Sequence, residues 1–177
     1  MKFISFKHDN IEKFGIIENN LITDLTGKIG AASNLKELIK IKKIKEAKEY
    51  AKSNPGSIKT EEIEYSPLIP NPGKIICVGL NYIEHAKETN RTVEENPVIF
   101  HRFPESQTAH MQAIQRPSVS KSLDFEGEMA VIMDEGGKHI KSEEALKHVV
   151  GFSCYNESTI REWQRHTRQF GMGKNFE

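Results

Sequence analysis

Glu126 and Glu128 stand two residues apart in the run Leu123-Asp124-Phe125-Glu126-Gly127-Glu128-Met129-Ala130-Val131-Ile132-Met133. The apolar residues after them predict a buried strand, and residues i and i+2 of a strand point to the same face. Two carboxylates held that close raise each other's pKa unless a cation joins them. A hard divalent ion with oxygen ligands is the natural cation for such a pair. Two solvated glutamates on a strand edge are the plain alternative.

Three further patterns could add to this chemistry. In Asn81-Tyr82-Ile83-Glu84-His85-Ala86-Lys87-Glu88, a helix would put His85 and Glu88 on one face. A carboxylate beside an imidazole fixes its tautomer and raises its basicity, which suits a general base; an exposed salt pair is the plain reading. In Asn156-Glu157-Ser158-Thr159-Ile160-Arg161-Glu162-Trp163-Gln164, a helix would line up Glu157, Arg161 and Gln164. Glu157 would then be a third carboxylate, with Arg161 and Gln164 offering donors to an anionic substrate; a surface Glu–Arg helix pair is the alternative. In Gly171-Met172-Gly173-Lys174-Asn175-Phe176-Glu177, the glycines let the backbone approach a ligand, and Lys174 could neutralise a carboxylate or simply be solvated.

The elements that must position these groups fall into two modules. Residues 1–66 read as a small α+β domain. Phe3–Phe6, Phe14–Ile17 and Leu21–Leu25 are strands joined by turns at His8-Asp9-Asn10 and Glu18-Asn19-Asn20. A helix starts at Asn34, with Glu37 completing a capping box and Leu35, Leu38, Ile39, Ile41, Ile44 and Ala47 forming its apolar side. Residues 67–73, with three prolines and a glycine, form a linker. From residue 74 onward, strands are predicted at Lys74–Leu80, Pro97–Phe100, 123–133 and Val149–Tyr155, with short helices from Tyr82 and Ser142 and a helix-compatible stretch over 157–168.

The 25 basic and 25 acidic side chains cancel, which argues against nucleic acid or an anionic membrane as partner. No apolar run is long enough to span a bilayer, and the N-terminus becomes polar too soon for a signal peptide. Cys77 and Cys154 sit in apolar runs without metal or redox spacing, which predicts two buried thiols in a cytoplasmic protein.

Taken in order, Lys74-Ile75-Ile76-Cys77-Val78-Gly79-Leu80-Asn81-Tyr82 with His85-Ala86 and Glu88, Asp124-Phe125-Glu126-Gly127-Glu128, Arg161-Glu162-Trp163-Gln164 and Gly173-Lys174-Asn175-Phe176 resemble the fumarylacetoacetate hydrolase family. The branch most similar is the bacterial one described as 2-keto-4-pentenoate hydratase or oxohepta-ene-dioate hydratase/isomerase. The resemblance implies a mixed α/β, mainly β fold: the front part of a fumarylacetoacetase-like β-sandwich roll over residues 74–177, preceded by the small N-terminal domain. It implies a magnesium or manganese site, with calcium a further candidate. Glu126, Glu128 and Glu157 map onto metal ligands, His85, Glu88 and Lys174 onto catalytic positions, and Arg161, Gln164 and Arg102 onto substrate-binding ones. Small 2-oxo or 1,3-dioxo acids are the implied substrates, turned over through an enolate by C–C hydrolysis, decarboxylation, hydration or isomerisation, in a homodimer once the full fold is complete.

Two departures shape these expectations. Glu157 stands where the family carries aspartate, and the longer side chain is expected to weaken or alter metal binding. The chain also stops at Glu177, ahead of a large C-terminal portion of the family's roll, so unpaired strand edges and exposed apolar faces are expected. An inactive remnant or interaction protein that keeps the front of the fold is therefore the alternative to an enzyme.

Overall fold

The computed structural model describes residues 1–88 and 95–176, without the side chain of His85. It divides the chain into two compact units. The first comprises Met1–Asn71, Thr108–Ala113 and Gly127–Tyr155, the second Pro72–Gln107, Ile114–Glu126 and Asn156–Glu177.

The first unit starts with β1 (Lys2–His8), β2 (Ile11–Glu18) and β3 (Leu21–Asp24), joined by two-residue hairpins. Asp9-Asn10 and Asn19-Asn20 all have positive φ, between 51° and 62°. That conformation matches the twist of paired strands, and Asn and Asp tolerate it better than other non-glycine residues. The turns set the register, His8 facing Ile11 and Glu18 facing Leu21. Two helices follow, α1 (Leu35–Lys40) and α2 (Ile44–Ser53), then β4 (Ile58–Lys59) and β5 (Glu64–Tyr65), which complete an antiparallel sheet of order β4-β3-β2-β1-β5. Alternation along the strands builds two apolar layers. Phe14, Ile16 and Leu25 pack with Leu35, Leu38, Ile39, Ala47 and Ala51 of the helices, while Ile4, Phe6 and Ile22 form a separate cluster.

The Asn34 cap of α1 is present, its side chain accepting from Glu37 N at 2.9 Å, but the Glu37 carboxylate accepts from Ser33 N at 2.7 Å, one residue ahead of the Asn34 N–H that the expected capping box would use. The single helix expected through Ala47 is instead broken, with Lys42 in the left-handed region at φ 58°. At 3.6 residues per turn, the stripe of Leu35, Leu38 and Ile39 and that of Ile44, Ala47 and Ala51 would lie roughly half a turn apart on one continuous rod. Breaking the rod lets both stripes reach the same core.

Asp24, at the end of β3, supplies a pH-dependent tie. Its carboxylate accepts from Lys13 Nζ and Thr26 N, both at 2.8 Å. Burial pushes this carboxyl up, but the bonds from Lys13 and Thr26 outweigh it and hold it below its ordinary value of 3.8. A depressed carboxyl adds stability above its unfolded pKa, and that stability is lost as pH falls through the lower folded value. Asp24→Asn is expected to cost about 1 kcal/mol at pH 7. The deficit should shrink as pH drops below about 3.8, read from urea midpoints across pH.

In the second unit, β6 (Ile75–Gly79) leads into α3 (Ile83–Glu88), and β7 (Val98–Arg102) returns antiparallel to β6 with Ile75 facing Arg102 and Gly79 facing Val98. Phe100 and Arg102 are buried on one face of β7, whereas Ile76, Val78 and Ile99 stay exposed on the other. The strand expected over 123–133 is interrupted. β8 (Leu123–Asp124) ends before Glu126, and β9 (Gly127–Met133) pairs with β10 (Val149–Asn156) in the first unit. β9 is half-exposed rather than buried: Met129, Val131 and Met133 face outward, as does Phe152 of β10. The exposed apolar faces expected of the chain are thus present in both units. Cys154 is exposed and Cys77 half-buried, which corrects the expectation of two buried thiols.

β8 pairs antiparallel with β11 (Thr159–Ile160), which runs into α4 (Arg161–Gln164). Helix is confined to those four residues of the 157–168 stretch. Glu157 lies ahead of β11, not on a helix with Arg161 and Gln164. Thr159 and Ile160 are β-branched and favour extended backbone.

Candidate active site

The β8–β11 ladder sets Asp124 opposite Thr159 and Leu123 opposite Ile160. Extending that register by two residues puts Glu126 opposite Glu157, and the Glu157 N–H donates to Glu126 O at 2.8 Å. Asn156 Oδ1 accepts from Glu126 N at 3.1 Å and ties the same two segments together. Because side chains alternate, Asp124 and Glu126 on one segment share a face with Glu157, Thr159 and Arg161 on the other. The two carboxylates that meet are therefore Glu126 and Glu157, across the ladder. Glu128 is on β9, in the first unit.

Lys174 lies between them. Its ammonium donates to Glu126 Oε1 and Oε2, each at 3.1 Å, and to Glu157 Oε2 at 2.8 Å. Only 2% of the residue is exposed. The Phe100 ring centroid is 5.0 Å from Nζ, and Phe100 meets Phe170 edge to face. Lys174 follows a 3-10 turn, Gly171–Gly173, and Gly173 is needed for space. A Cβ there would fall on the backbone N of Gln164 and 2.5 Å from Ile160 O. This glycine lets the lysine-bearing turn press against α4; its close approach is to the protein's own backbone.

Glu157 is held from the other side by Arg102. The guanidinium Nη1 donates to Glu157 Oε1 and to Ser158 O, both at 3.0 Å, and Arg102 is 6% exposed. A residue expected to meet substrate is thus spent on a buried carboxylate and the backbone beside it. Arg161 is similarly engaged: Nε donates to Asp124 Oδ2 at 2.7 Å, and Nη1 lies 2.6 Å from Glu126 Oε1 and 3.1 Å from Gln164 Oε1. Thr159, wholly buried, donates its hydroxyl to Glu126 Oε1 at 2.8 Å. Asp124, Thr159 and Phe100 are members of the site that the motifs did not single out. The signal for the first two was their spacing of two from Glu126 and Glu157, once both segments are read as extended.

The electrostatics separate the two glutamates. Burial pushes the Glu126 carboxyl up, but Lys174, Thr159 and Arg161 together hold it below the usual range. Burial raises Glu157, the nearby charge of Glu126 adds to that, and Lys174 and Arg102 offset it only in part, leaving Glu157 above the usual value. His85 and Glu88 both fall within α3, as expected; Glu88 is exposed, and the His85 side chain lies outside the described residues.

Glu126 and Glu157 have the hard oxygen chemistry that a divalent cation takes, and they already face one another across a position held by a cation. The donor chemistry of these two carboxylates suits such an ion, but Lys174 holds the position between them. Asp124, Glu126 and Glu157 are balanced by Arg102, Arg161 and Lys174. Among the described residues, no three or more His, Cys, Asp and Glu side chains are gathered for a metal.

Comparison with known proteins agrees with this architecture. Residues 74–177 match the fumarylacetoacetate (FAA) hydrolase C-terminal family. Human mitochondrial oxaloacetate tautomerase FAHD2A is 36% identical over 118 residues, 66% of this chain and 38% of that protein. The chain thus spans well under half the length of this curated relative. The fumarylacetoacetate hydrolase from the psychrophile Exiguobacterium antarcticum superposes over 100% of the chain and 62% of its own, with TM-score 0.83 and 29% identity. The maleylpyruvate hydrolase from Sphingobium sp. SYK-6, solved with manganese(II) and pyruvate, shares the fold at TM-score 0.76 and 19% identity, over 98% of this chain and 63% of its own. No described helix is long and apolar enough to cross a membrane.

Proposed function

The chain belongs to the fumarylacetoacetate hydrolase family, and from that premise we propose that it carries metal-binding residues of an enzyme acting on small 2-oxo or 1,3-dioxo acids through an enolate. One observation carries the reading: Glu126 and Glu157 oppose each other across the β8–β11 ladder with a cation bonded to both. Further support comes from the family match, which begins at residue 74, where the proposed catalytic module starts after the linker at 67–73. The tautomerase named above acts on oxaloacetate, and the maleylpyruvate hydrolase binds manganese and pyruvate.

Glu126 and Glu157 would hold magnesium or manganese, with Glu128 proposed as a third ligand from its sequence position alone. A bound divalent cation supplies Lewis-acid stabilisation for the oxygen charge of an enolate. The remaining work falls to this chain's own groups. Arg102 fixes the Glu157 carboxylate from below and so acts through it. Arg161, anchored by Asp124 and Gln164, keeps a positive charge beside Glu126, where a substrate carboxylate would be balanced. His85, with Glu88 one turn on in α3, is the proposed acceptor of the proton removed from substrate or water.

The test pairs binding with turnover. Manganese titration of the wild-type chain, followed by electron paramagnetic resonance, is expected to saturate, and Glu126→Gln to abolish saturation. Oxaloacetate tautomerisation and acylpyruvate cleavage should then be lost in the same variant and in the presence of chelator. An inactive or interaction protein with this fold is the second reading, favoured by the exposed apolar residues Ile76, Val78 and Ile99. No binding and no turnover in wild type would decide for it, and manganese binding that survives Glu126→Gln would remove Glu126 from the ligand set.

A further inference from the structure

Resting on that metal-site reading, we propose that Lys174 competes with the metal: its ammonium holds Glu126 and Glu157 together and must leave before a divalent cation can enter.

The geometry supports the competition in three ways. First, the lysine takes the bridging position. It bonds both oxygens of Glu126 and one of Glu157, and the remaining Glu157 oxygen is taken by Arg102. Both carboxylates are thus joined through a single nitrogen, the role a shared metal would have. Second, charge is already balanced. A divalent ion added beside an unmoved Lys174 would bring like charges within a few ångströms in a site where little water screens them. Third, what holds the head of Lys174 is the carboxylate pair itself. The backbone is pinned through Gly173 against α4, while among the described residues the ammonium hydrogen-bonds to the two carboxylates and rests over the Phe100 ring. A flexible four-carbon stem on a fixed base can swing its head without moving the turn.

The device has a chemical consequence. The lysine neutralises the buried Glu157 and the half-buried Glu126, which would otherwise repel. A metal in that role would free the ammonium to donate to an anionic substrate. Arg102 does not share this freedom, because it is committed to the Ser158 carbonyl as well as to Glu157.

Two measurements on the full chain test the idea. Lys174→Met removes the competing charge while keeping an apolar stem over Phe100. Manganese affinity, read by electron paramagnetic resonance, should rise at least tenfold over wild type. Because that variant leaves carboxylates without their counter-charge and can fail to fold, the second measurement uses wild type alone. Acetic anhydride labelling followed by peptide mass spectrometry should find Lys174 protected without metal and reactive at saturating manganese, with exposed Lys36 and Lys48 as internal standards. Manganese binding in wild type with Lys174 equally protected with and without metal overturns the proposal and leaves the metal site standing. Manganese binding that is no tighter in a folded Lys174→Met does the same. Failure of both proteins to bind manganese overturns this inference together with the metal-site reading.

Discussion

Glu157→Ala is expected to destabilise the protein by about 3–5 kcal/mol, the range for removing one partner of a buried charge pair. The reason lies in what remains. Arg102 is 6% exposed and Lys174 2% exposed, and each gives a hydrogen bond to Glu157. Without that carboxylate, Arg102 keeps only the Ser158 carbonyl and a long contact to Ser106, while Lys174 leans on Glu126 alone. Two buried cations then lose their shared anion, and the half-buried Glu126 is left between Lys174 and Arg161. Urea unfolding at neutral pH measures the loss. Glu157→Gln, which keeps an acceptor for Arg102, should lose clearly less, and equal losses for the two variants would show that charge is not what matters at this position. Glu157→Asp asks a different question. Shortening the side chain by one methylene withdraws its oxygens from Arg102 or from Lys174, so a cost in stability is expected even if metal binding improves. A variant that binds magnesium no better than wild type would show that the longer glutamate is no handicap.

How far the sequence reached is clearest at this same residue. Glu126, Glu157, Arg161, Gln164 and Lys174 are identifiable from their motifs, and the structure gathers them in the second unit. Their connectivity is not identifiable in that way. Local spacing pairs Glu126 with Glu128 because side chains alternate along a strand, and the alternation is indeed seen: both are half-buried between exposed neighbours. The partner of Glu126 is nevertheless Glu157, 31 residues on, because strand register is a long-range property that no local period contains. Reading 157–168 as helical hid that register. Once Thr159 and Ile160 are extended, Thr159 and Asp124 fall on the same face as the glutamates without further assumption.

The N-terminal unit was more legible because its signals are local. Two Asx-type turns determine the β1–β2–β3 hairpins, and Asn34 with Glu37 marks the start of α1. The break at Lys42 had a local signal as well, in the half-turn offset between the two apolar stripes. Arg102 shows the opposite limit. Residue type and chain position suggest an anion-binding arginine, but whether the anion is a ligand or the protein's own Glu157 depends on the inward face of β7, which is settled only by its pairing with β6.

Gly173→Ala is expected to be the most damaging single-methyl change in the site. The added Cβ would overlap the backbone N of Gln164 and lie 2.5 Å from Ile160 O and 2.6 Å from Gln164 Cα. These are backbone atoms, which cannot rotate away as a side chain would. Overpacking typically costs about 1–3 kcal/mol, and contacts with backbone belong at or above the upper end of that range. Gly171 supplies the control from within the same turn: among the described residues a Cβ there meets only Asn175 Nδ2 at 3.9 Å, so Gly171→Ala should be nearly neutral. Neither position has the positive φ that would make alanine costly through conformation, so the contrast isolates space. Lys174 is the next residue, so shifting Gly173 away from α4 carries the ammonium away from Glu126 and Glu157. Gly173→Ala should therefore lower the urea midpoint and also make Lys174 reactive to acetic anhydride without metal, whereas Gly171→Ala should do neither. A folded Gly173→Ala protein with a protected Lys174 would show that the turn can yield by another route, and that the lysine's place is set by its carboxylates rather than by the backbone beneath it.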